Sequence, residues 1–343
     1  MKLSAASCGE SSILRGTKPL FLLAYPAASR GECARERIHK EKYMSVQKIE
    51  KVAVVGTGTL GTQIALQAAF YGCQVTAYDQ DHTQFERMLK IIQFRIQNSG
   101  KKATPAFENI PETAKKIILC STLEDALQDV DIVIEAIPEY IPIKREVFEK
   151  LDAIAPKKTI LATNSSSIPI SKIESATKRP EKCMNIHFYA LDTRQGMADV
   201  MGGTKTSDET FNRGREWVRS IGCIPLAVNK ESVGFCFNRV WRAVKREALH
   251  MWADGISDFQ DIDRGWMIFT GMPQGPFGMM DNIGLDVVYG IEMVYYEESQ
   301  DPKDYPPEKL KAMIDRKEMG VKAGKGFYTY PNPAYKDPTF LKK

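Results

Sequence analysis

The stretch Val52-Ala53-Val54-Val55-Gly56-Thr57-Gly58-Thr59-Leu60-Gly61 decides the fold, and the helix-like run 62–71 follows it directly. An apolar strand that leads through glycines spaced G-x-G-x-x-G into a helix is the context in which this spacing binds a dinucleotide. Gly56 allows the tight turn, Gly58 lets a pyrophosphate approach the backbone, and Gly61 lets helix and strand pack closely. The free N–H groups at the helix N-terminus would face the phosphates. The predicted cofactor residues of this stretch are Gly56, Gly58, Thr59, Leu60 and Gly61.

A second predicted strand, Gln74–Tyr78, ends at Asp79, eighteen residues after Gly61. An acid at this position accepts hydrogen bonds from the adenosine ribose hydroxyls of a dinucleotide. The same carboxylate repels the 2′-phosphate of NADP, and the following Gln80-Asp81-His82 supplies no cation. The sequence therefore predicts NAD as the cofactor. The alternative is that the glycines only close a tight strand–helix turn. That alternative gives no role to Asp79 at the end of the second predicted strand.

Short β-branched runs alternate with amphipathic helical stretches after residue 52, which is typical of a doubly wound α/β domain. Strands are predicted at 52–55, 74–78, 117–120, 132–136, 159–163, 183–187 and 223–228. A long excursion, 82–116, predicts helices at 85–97 and 106–116. After residue 232 apolar residues recur at helical spacing, and helices are predicted at 235–253, 259–269 and 285–297. The next strand pattern comes only at 327–330.

These patterns predict an α/β fold: a Rossmann-type NAD-binding domain followed by an all-α C-terminal domain. The NAD-binding domain spans 48–229 and includes the helical excursion 82–116. The all-α domain spans 230–332. Residues 333–343 are interpreted as a tail, and residues 1–43 as a leader.

Composition excludes several classes of function. Apolar residues make up 43% of the chain, which is typical of a globular protein, and no run reaches the 18 apolar residues of a membrane-spanning helix. Residues 1–43 carry eight basic and four acidic side chains, which accounts for the whole net charge of +4. The neutral remainder favours neither nucleic-acid nor membrane partners. Seven scattered cysteines without a Cys-x-x-Cys pair predict neither a disulfide framework nor a metal site.

The leader leaves the cellular location open. Residues 19–25 form one short apolar run with basic neighbours, too short for a typical secretory signal. The Arg and Ser content of residues 1–43 fits a mitochondrial presequence, but the four Glu do not. A disordered or spuriously translated leader, with Met44 beginning the working protein, is the other interpretation. We expect a cytoplasmic protein, with the mitochondrial matrix as the alternative.

Six segments, in order along residues 50–330, resemble the L-3-hydroxyacyl-CoA dehydrogenases. Together they are far more specific than any one of them. They are Asp131-Ile-Val-Ile-Glu-Ala-Ile-Pro-Glu139, Ala162-Thr-Asn-Ser-Ser-Ser167, Asn185-Ile-His-Phe-Tyr189, Gly234-Phe-Cys-Phe-Asn-Arg239, Gly275-Pro-Phe277 with Asp281 and Gly284-Leu-Asp286, and Gly324-Lys-Gly-Phe-Tyr328.

The resemblance implies a catalytic set for the oxidation of a secondary alcohol. The reaction removes the hydroxyl proton while hydride leaves the same carbon, and a neutral histidine suits the proton transfer. The resemblance makes His187 the base and Asp199 the carboxylate that orients it. Ser166 and Asn238 would hold the substrate oxygen and carbonyl and stabilise enolate-like charge. Without the resemblance, His187 could be a structural histidine, Ser166 a helix N-cap and Asn238 a helix-surface amide.

The resemblance also implies that Glu139, Lys144 and Asn164 lie beside the cofactor, although the two charged residues could equally be solvated.

The chain departs from the family at two positions. Asp199 stands where the family has Glu, which shortens the reach by about 1.5 Å. The backbone must approach more closely, a water must bridge, or the pair is weakened. Ala190 stands where the family has Asn, so a side-chain amide is missing.

Two further cations are tentative substrate residues. Arg194, in the altered loop, could pair with a substrate carboxylate or be a solvated charge. Lys102 belongs to a basic set that could bind coenzyme A phosphates or form a solvated face. That set is Arg87, Lys90, Arg95, Lys101 and Lys102.

We therefore predict an oxidoreductase, an NAD-dependent 3-hydroxyacyl-CoA dehydrogenase of fatty-acid or related acyl-thioester metabolism. One alternative is a dehydrogenase of a free 3-hydroxy acid on the same scaffold, which Arg194 and the altered loop motivate. The other is a non-catalytic NAD-binding protein, supported only by Asp199 and Ala190. The substrate partner is an acyl-CoA or hydroxy acid. The resemblance implies that the C-terminal domain, 230–332, builds the other half of the substrate cleft and forms a homodimer through its helices.

Overall fold

The structure, a computed structural model, describes residues 47–342 as one compact unit. The predicted leader at residues 1–43 lies outside the described residues. The strands are β1 (Lys51–Val55), β2 (Gln74–Tyr78), β3 (Ile117–Leu119), β4 (Ile132–Glu135), β5 (Ile160–Thr163), β6 (Cys183–Phe188), β7 (Met197–Gly202) and β8 (Ile224–Val228).

Helices flank these strands and then dominate the C-terminal part. Those before residue 230 are α1 (Thr59–Phe70), α2 (Gln84–Asn98), α3 (Pro105–Glu108), α4 (Ile110–Ala114), α5 (Leu123–Ala126), α6 (Ile141–Ile154) and α7 (Asp208–Ser220). Those after it are α8 (Phe237–Ala253), α9 (Phe259–Thr270), α10 (Pro276–Ile283), α11 (Leu285–Ser299) and α12 (Glu308–Asp315). Within residues 47–342, no helix has both the length and the apolar character needed to cross a membrane.

The eight strands form one sheet in the order β3-β2-β1-β4-β5-β6-β7-β8. All neighbouring strands pair in parallel except β6 and β7, which are antiparallel. The strand order reverses between β1 and β4, and ligands of doubly wound sheets bind at that switch point, beyond the carboxyl ends of the strands. The predicted fold class, a doubly wound α/β sheet followed by helices, is confirmed.

The two faces of the sheet carry separate apolar cores. Along β1, Val52 and Val54 contribute to one core, while Ala53 and Val55 contribute to the other. Alternate residues of a strand point to opposite faces, so a central parallel strand is apolar throughout. Helices α1 and α7 cover the first face, and α6 covers the second with its buried Phe148.

Strand β7 is missing from the sequence-based prediction, whereas the seven predicted strands are present with ends shifted by no more than one residue. The segment Met-Ala-Asp-Val-Met-Gly places a fully buried carboxylate, Asp199, in the middle of the strand. An acid at a core position obscures the alternation from which a half-buried strand is recognised. The missed strand therefore carries a predicted site residue.

The excursion between β2 and β3 contains three helices where the sequence predicts two. The predicted helix 106–116 is divided into α3 and α4 at Asn109, whose side chain caps α4 by accepting from the Glu112 backbone N–H (3.4 Å). Pro111 occupies the first turn of α4, where its missing N–H is tolerated. A proline inside one continuous helix would instead lose a hydrogen bond, so the helix is interrupted.

The C-terminal helices surround a third apolar core that includes Phe277 and Leu310. The predicted strand at 327–330 is wrong, since this stretch contributes only to isolated bridges. Its backbone N–H groups at Phe327 and Tyr328 donate instead to the buried Asp281 carboxylate, at 3.0 and 2.9 Å. The segment interpreted as a tail packs on the same core through Phe340, which is 2% exposed. The predicted boundary between residues 229 and 230 stays a prediction.

Candidate active site

The glycine loop between β1 and α1 has the geometry that its sequence predicts. Gly56 has φ +96°, and a Cβ there would lie 2.6 Å from the Ala136 carbonyl oxygen. A Cβ on Gly61 would lie 1.9 Å from the Gly56 carbonyl oxygen, so helix and strand pack too closely for a side chain. A Cβ on Gly58 would meet nothing within 4 Å. The open space beside Gly58, at the N-terminus of α1, is where a pyrophosphate would fit.

Asp79 lies at the carboxyl end of β2, beside the glycine loop. Its Oδ2 accepts from the Thr57 backbone N–H (2.6 Å) and the Thr57 hydroxyl (3.1 Å), which fixes the carboxylate against the loop. Asp79 lines a small cavity together with Asp81 and His82. Arg87, near this cavity, is paired with Asp81 at 3.2 Å. This acidic surrounding suits the ribose hydroxyls of NAD and disfavours an additional phosphate.

A cavity of about 240 Å³ in front of the glycine loop brings together predicted residues from distant parts of the chain. It lies at the carboxyl ends of β1, β4, β5 and β6, where the topology predicts a ligand site. Its lining residues that the sequence predicts are Gly58, Thr59, Leu60, Gly61, Glu139, Lys144, Asn164, Ser166 and His187.

His187 and Asp199 face each other across the antiparallel pair of β6 and β7. Both side chains are buried, and His187 Nδ1 lies 3.2 Å from Asp199 Oδ2. Directly opposed residues in such a pair have Cβ atoms about 5 Å apart, which a short side chain can span. Strand pairing therefore supplies the close backbone approach that Asp in place of Glu requires. Because Nδ1 faces the carboxylate, Nε2 is the nitrogen left for a substrate.

Three more groups position this pair, and the sequence-based prediction includes none of them. The Tyr189 hydroxyl donates to Asp199 Oδ2 at 2.6 Å, and the Cys236 backbone N–H donates to Oδ1 at 3.3 Å. Burial and the neighbouring Asp199 carboxylate raise the pKa of the Tyr189 phenol, so it remains a donor. The Phe235 ring stacks on the imidazole, with centroids 5.1 Å apart and planes 12° from parallel.

Glu139 and Lys144 line the cavity but also have partners inside the protein. Lys144 is 1% exposed and bonds to Glu135 (2.7 Å), with Glu139 3.3 Å away. Glu139 Oε1 accepts from the Ser165 hydroxyl (2.5 Å) and from the Ser166 backbone N–H (3.1 Å). Burial works to raise the pKa of Glu139, but hydrogen bonds from Ser165 and Ser167 and the charge of Lys144 leave it lowered. The ionised Glu139 therefore holds the loop that presents Ser166.

Asn164 connects two strand ends beside the cavity. Its side-chain oxygen accepts from the Phe188 backbone N–H at 2.8 Å, which links the end of β5 to the end of β6 next to His187. Asn164 also lines the cavity itself. The residue thus fixes the position of the strand that carries the histidine and keeps its amide at the ligand side.

Ser166 and Asn238 meet at a second cavity, of about 430 Å³, that adjoins the first. Ser166 lines both cavities, and Asn238 stands in the first turn of α8. The N-cap alternative for Ser166 is wrong, because the short helix that follows begins at Ile170 with Pro169 as its cap. The second cavity also contains Arg242 and Lys245, which the sequence-based prediction missed because charged residues at helical spacing usually form a solvated face.

The two tentative substrate cations are not brought to either cavity, as far as residues 47–342 show. Arg194 is exposed in the loop between β6 and β7. Lys102 is exposed and lies 3.4 Å from Glu108. Arg95, from the same basic set, donates through Nε to the buried Asp192 at 2.8 Å. Part of the basic set that could bind coenzyme A phosphates therefore pairs with carboxylates of the protein itself.

Two family models match the chain. The NAD binding domain of 3-hydroxyacyl-CoA dehydrogenase matches residues 51–232, and the C-terminal domain of the same family matches residues 234–330. The chain is 35% identical over 285 residues to a 3-hydroxybutyryl-CoA dehydrogenase of Clostridioides difficile, across 82% of this chain and 99% of the relative.

Two further similarities concern proteins whose names do not mention coenzyme A. The 5-formyl-3-hydroxy-2-methylpyridine 4-carboxylate 5-dehydrogenase of Mesorhizobium japonicum is 31% identical over 288 residues, which covers 82% of this chain and 91% of the relative. A solved structure of a diketoreductase, described as acting on dicarbonyl compounds, matches with a TM-score of 0.71 and 34% identity. That match covers 83% of this chain and all of the diketoreductase chain.

Proposed function

The chain belongs to the 3-hydroxyacyl-CoA dehydrogenase family of NAD-dependent oxidoreductases, and from this premise we propose that it oxidises the hydroxyl of a 3-hydroxyacyl-CoA to the 3-oxoacyl-CoA, with His187 as the general base. One observation carries the proposal. His187 lines the cavity that the glycine loop opens, and the buried Asp199 holds its Nδ1 at 3.2 Å.

The four predicted catalytic residues each have a chemical role in this reaction. The glycine loop and Asp79 would hold NAD, which would supply the acceptor for the hydride of the substrate carbon. His187 takes the hydroxyl proton at Nε2, and Asp199 stabilises the imidazolium that results. Ser166 and Asn238 donate to the substrate oxygens and stabilise the charge that develops beside the reacting carbon. Glu139 keeps Ser166 in place through its hydrogen bonds to the serine loop.

The test is NADH-dependent reduction of acetoacetyl-CoA by the wild-type protein and by His187→Ala. We expect turnover in the wild type and a loss of roughly 10²- to 10⁴-fold in the variant, the usual contribution of a general acid–base residue, since His187 returns the proton in this direction of the reaction. NADH affinity, followed by fluorescence titration, should change little. A variant that keeps its rate would remove His187 from the role of base.

A dehydrogenase of free 3-hydroxy acids is the second candidate. It is favoured by the engagement of Arg95 and Lys102 with Asp192 and Glu108, which leaves fewer cations for coenzyme phosphates. The relative from Mesorhizobium japonicum and the diketoreductase also support a substrate without coenzyme A. Activity on free 3-oxo acids but not on matched thioesters would decide for this candidate.

We further propose that the protein forms a homodimer through its C-terminal helices. Large apolar side chains are exposed there, notably Phe269 (92% exposed) and Ile268 (60% exposed) on α9. Exposed apolar patches of this kind commonly mark interfaces.

For the cellular location of the protein we propose the cytoplasm. Fractionation of cells that express the chain with and without residues 1–43 tests this, and mitochondrial import of only the longer chain would favour the matrix.

A further inference from the structure

The second cavity has charged residues along one side. Asn238, Arg242 and Lys245 all line it, and all three belong to α8. Residues four and seven apart lie on the same face of a helix, and seven residues advance about 10 Å along its axis. The cavity therefore runs from the proposed reacting centre at Asn238 towards Lys245, two helical turns away.

The rest of the cavity wall is largely apolar. Ile283 of α10 and Val287, Ile291 and Val294 of α11 contribute to its lining. Such a wall fits the methylene groups of an acyl chain. An acyl chain with a terminal methyl group would, however, place no polar atom near the buried cations at the far end.

Lys245 is buried, at 2% exposure, and retains unused donors. Its Nζ lies 3.2 Å from Glu292 Oε1, and within residues 47–342 Glu292 is its one carboxylate partner. A lysine ammonium has three N–H donors, so one acceptor leaves two for a bound molecule. Burial lowers the pKa of Lys245, and the charge of Glu292 works in the opposite direction. A second acceptor at the ammonium would offset this desolvation.

Glu292 is not reserved for Lys245, because it is shared with Arg242. Arg242 Nε donates to Glu292 Oε2 at 3.0 Å, and its guanidinium also lies 2.8 Å from Asp304 and 3.9 Å above the Tyr295 ring. Arg246 also pairs with Asp304, at 2.6 Å, and is the third cation of this cluster after Arg242 and Lys245. Three cations and two carboxylates leave this cluster with one positive charge beside a largely apolar cavity.

We propose that the acyl group of the substrate ends in a carboxylate, which binds Lys245 at the far end of this cavity. One bound carboxylate would accept hydrogen bonds from the free ammonium donors and would offset the burial of the Lys245 charge by direct contact. Arg242 also lines the cavity, and its Nε donates to Glu292 Oε2 at 3.0 Å, so it holds in place the carboxylate that pairs with Lys245. This inference rests on the proposed function, since it describes the acyl end of the same substrate.

The experiment compares matched 3-oxoacyl-CoA thioesters with six to ten carbons that end in either a methyl or a carboxylate group. For the best chain length we expect kcat/KM to favour the carboxylate member by about 10- to 100-fold, the range of one charge-assisted hydrogen bond to a buried group. Equal rates for the two members would overturn the inference and leave the proposed function intact. No turnover of any thioester would overturn the proposed function, and the inference with it.

The variant Lys245→Met/Glu292→Gln removes the ammonium group and its counter-charge together, because loss of the lysine alone would leave Glu292 buried with less compensation. The amide oxygen of glutamine can still accept from Arg242 Nε, so this variant does not release Arg242 into the cavity. We expect it to abolish the preference for the carboxylate while rates with methyl-ended substrates stay within about threefold. Arg246→Met is the matched control: it removes one cation from the same cluster, but Arg246 does not line the cavity. It should keep the preference within about twofold. A preserved preference in the double variant would overturn the inference.

Coenzyme A phosphates are another source of anions, and a second pair of substrates distinguishes them. N-acetylcysteamine thioesters carry the same acyl groups without the nucleotide. Persistence of the carboxylate preference in these thioesters supports the inference. If the double variant instead slows methyl-ended CoA thioesters but not their N-acetylcysteamine counterparts, Lys245 binds the coenzyme and the inference fails.

Discussion

At the scale of single residues, the carboxylate of Asp199 is notable for how many groups hold it. His187, the Tyr189 hydroxyl and the Cys236 backbone N–H all contact its two oxygens. A buried carboxylate is costly unless such donors satisfy it, and each donor also restricts its orientation. Tyr189 is thus a positioning residue for the histidine pair.

Replacement of Tyr189 by Phe removes one hydrogen bond to Asp199 and keeps the ring. We expect kcat/KM to fall about 3- to 10-fold, consistent with a net hydrogen bond of roughly 1 kcal/mol. Steady-state assays of Tyr189→Phe, Asp199→Asn and the double variant form a cycle that measures the coupling. The effect of Tyr189→Phe should shrink in the Asp199→Asn background, because the two groups act as one unit. Fully additive effects would show that Tyr189 acts independently of Asp199.

At the scale of elements, the unit β1–glycine loop–α1 combines two requirements in one short stretch. Gly61 is needed because the helix packs against the loop backbone, whereas Gly58 borders open space. The backbone at Gly58 is extended with φ −63°, which any residue adopts. Gly61 is therefore required for the packing of α1 against the loop, whereas Gly58 is required for the close approach of the bound dinucleotide.

The variants Gly61→Ala and Gly58→Ala separate these requirements. Gly61→Ala should destabilise the protein by about 1–3 kcal/mol, because the added Cβ forces the helix from the loop. Gly58→Ala should unfold like the wild type but bind NADH at least about tenfold more weakly, a loss of ~1.4 kcal/mol. Urea unfolding and NADH fluorescence titration measure the two quantities. Wild-type NADH affinity in Gly58→Ala would contradict the assignment of the pyrophosphate to this position.

At the scale of the whole molecule, buried carboxylates connect the C-terminal segments to the helical core. Asp263 is fully buried and accepts from the backbone N–H groups of Phe277 (2.8 Å) and Gly278 (3.0 Å) and from the Tyr328 hydroxyl (2.9 Å). Burial raises the pKa of Asp263 to about 6, although these hydrogen bonds oppose the shift. A raised pKa means that the folded state holds this proton more tightly than the unfolded state.

The stability that Asp263 contributes should therefore be fully present below about pH 4 and be lost as the pH rises through about 6. A shift of this size corresponds to at most about 3 kcal/mol. Asp263→Asn cannot titrate, so its destabilisation relative to the wild type should be smaller at pH 7.5 than at pH 4.5, by roughly 2 kcal/mol. Urea unfolding at both pH values measures this. Asp254→Asn, at an exposed aspartate, is the control. A destabilisation by Asp263→Asn that is the same at both pH values would contradict the prediction.

The proposed dimer is also a property of the whole molecule. A charge at the exposed Phe269 should disfavour burial of α9 against a second copy, so Phe269→Asp should sediment as a monomer at concentrations where the wild type is a dimer. Phe94→Asp on α2 is the matched control, since Phe94 is also exposed (69%) but lies in the α/β part of the chain. Analytical ultracentrifugation distinguishes the outcomes, and a dimeric Phe269→Asp would exclude this face.

The sequence by itself determined the α/β class, the glycine loop, the acid at Asp79 and seven of the eight strands found within residues 47–342, because these depend on local periodicity and on turn chemistry. It also assigned His187 through the family resemblance. The resemblance also paired Asp199 with His187, but only the tertiary structure showed how the shorter acid reaches the ring: β7, a strand with a buried acid at its centre, places Asp199 directly opposite His187. Likewise, only the tertiary structure placed the Tyr189 hydroxyl against Asp199 and Lys245 in the second cavity, and only it showed that Arg194 and Lys102 are exposed. Whether a charged side chain is solvated or enclosed depends on which elements pack around it, and the local pattern of a sequence carries no record of that packing.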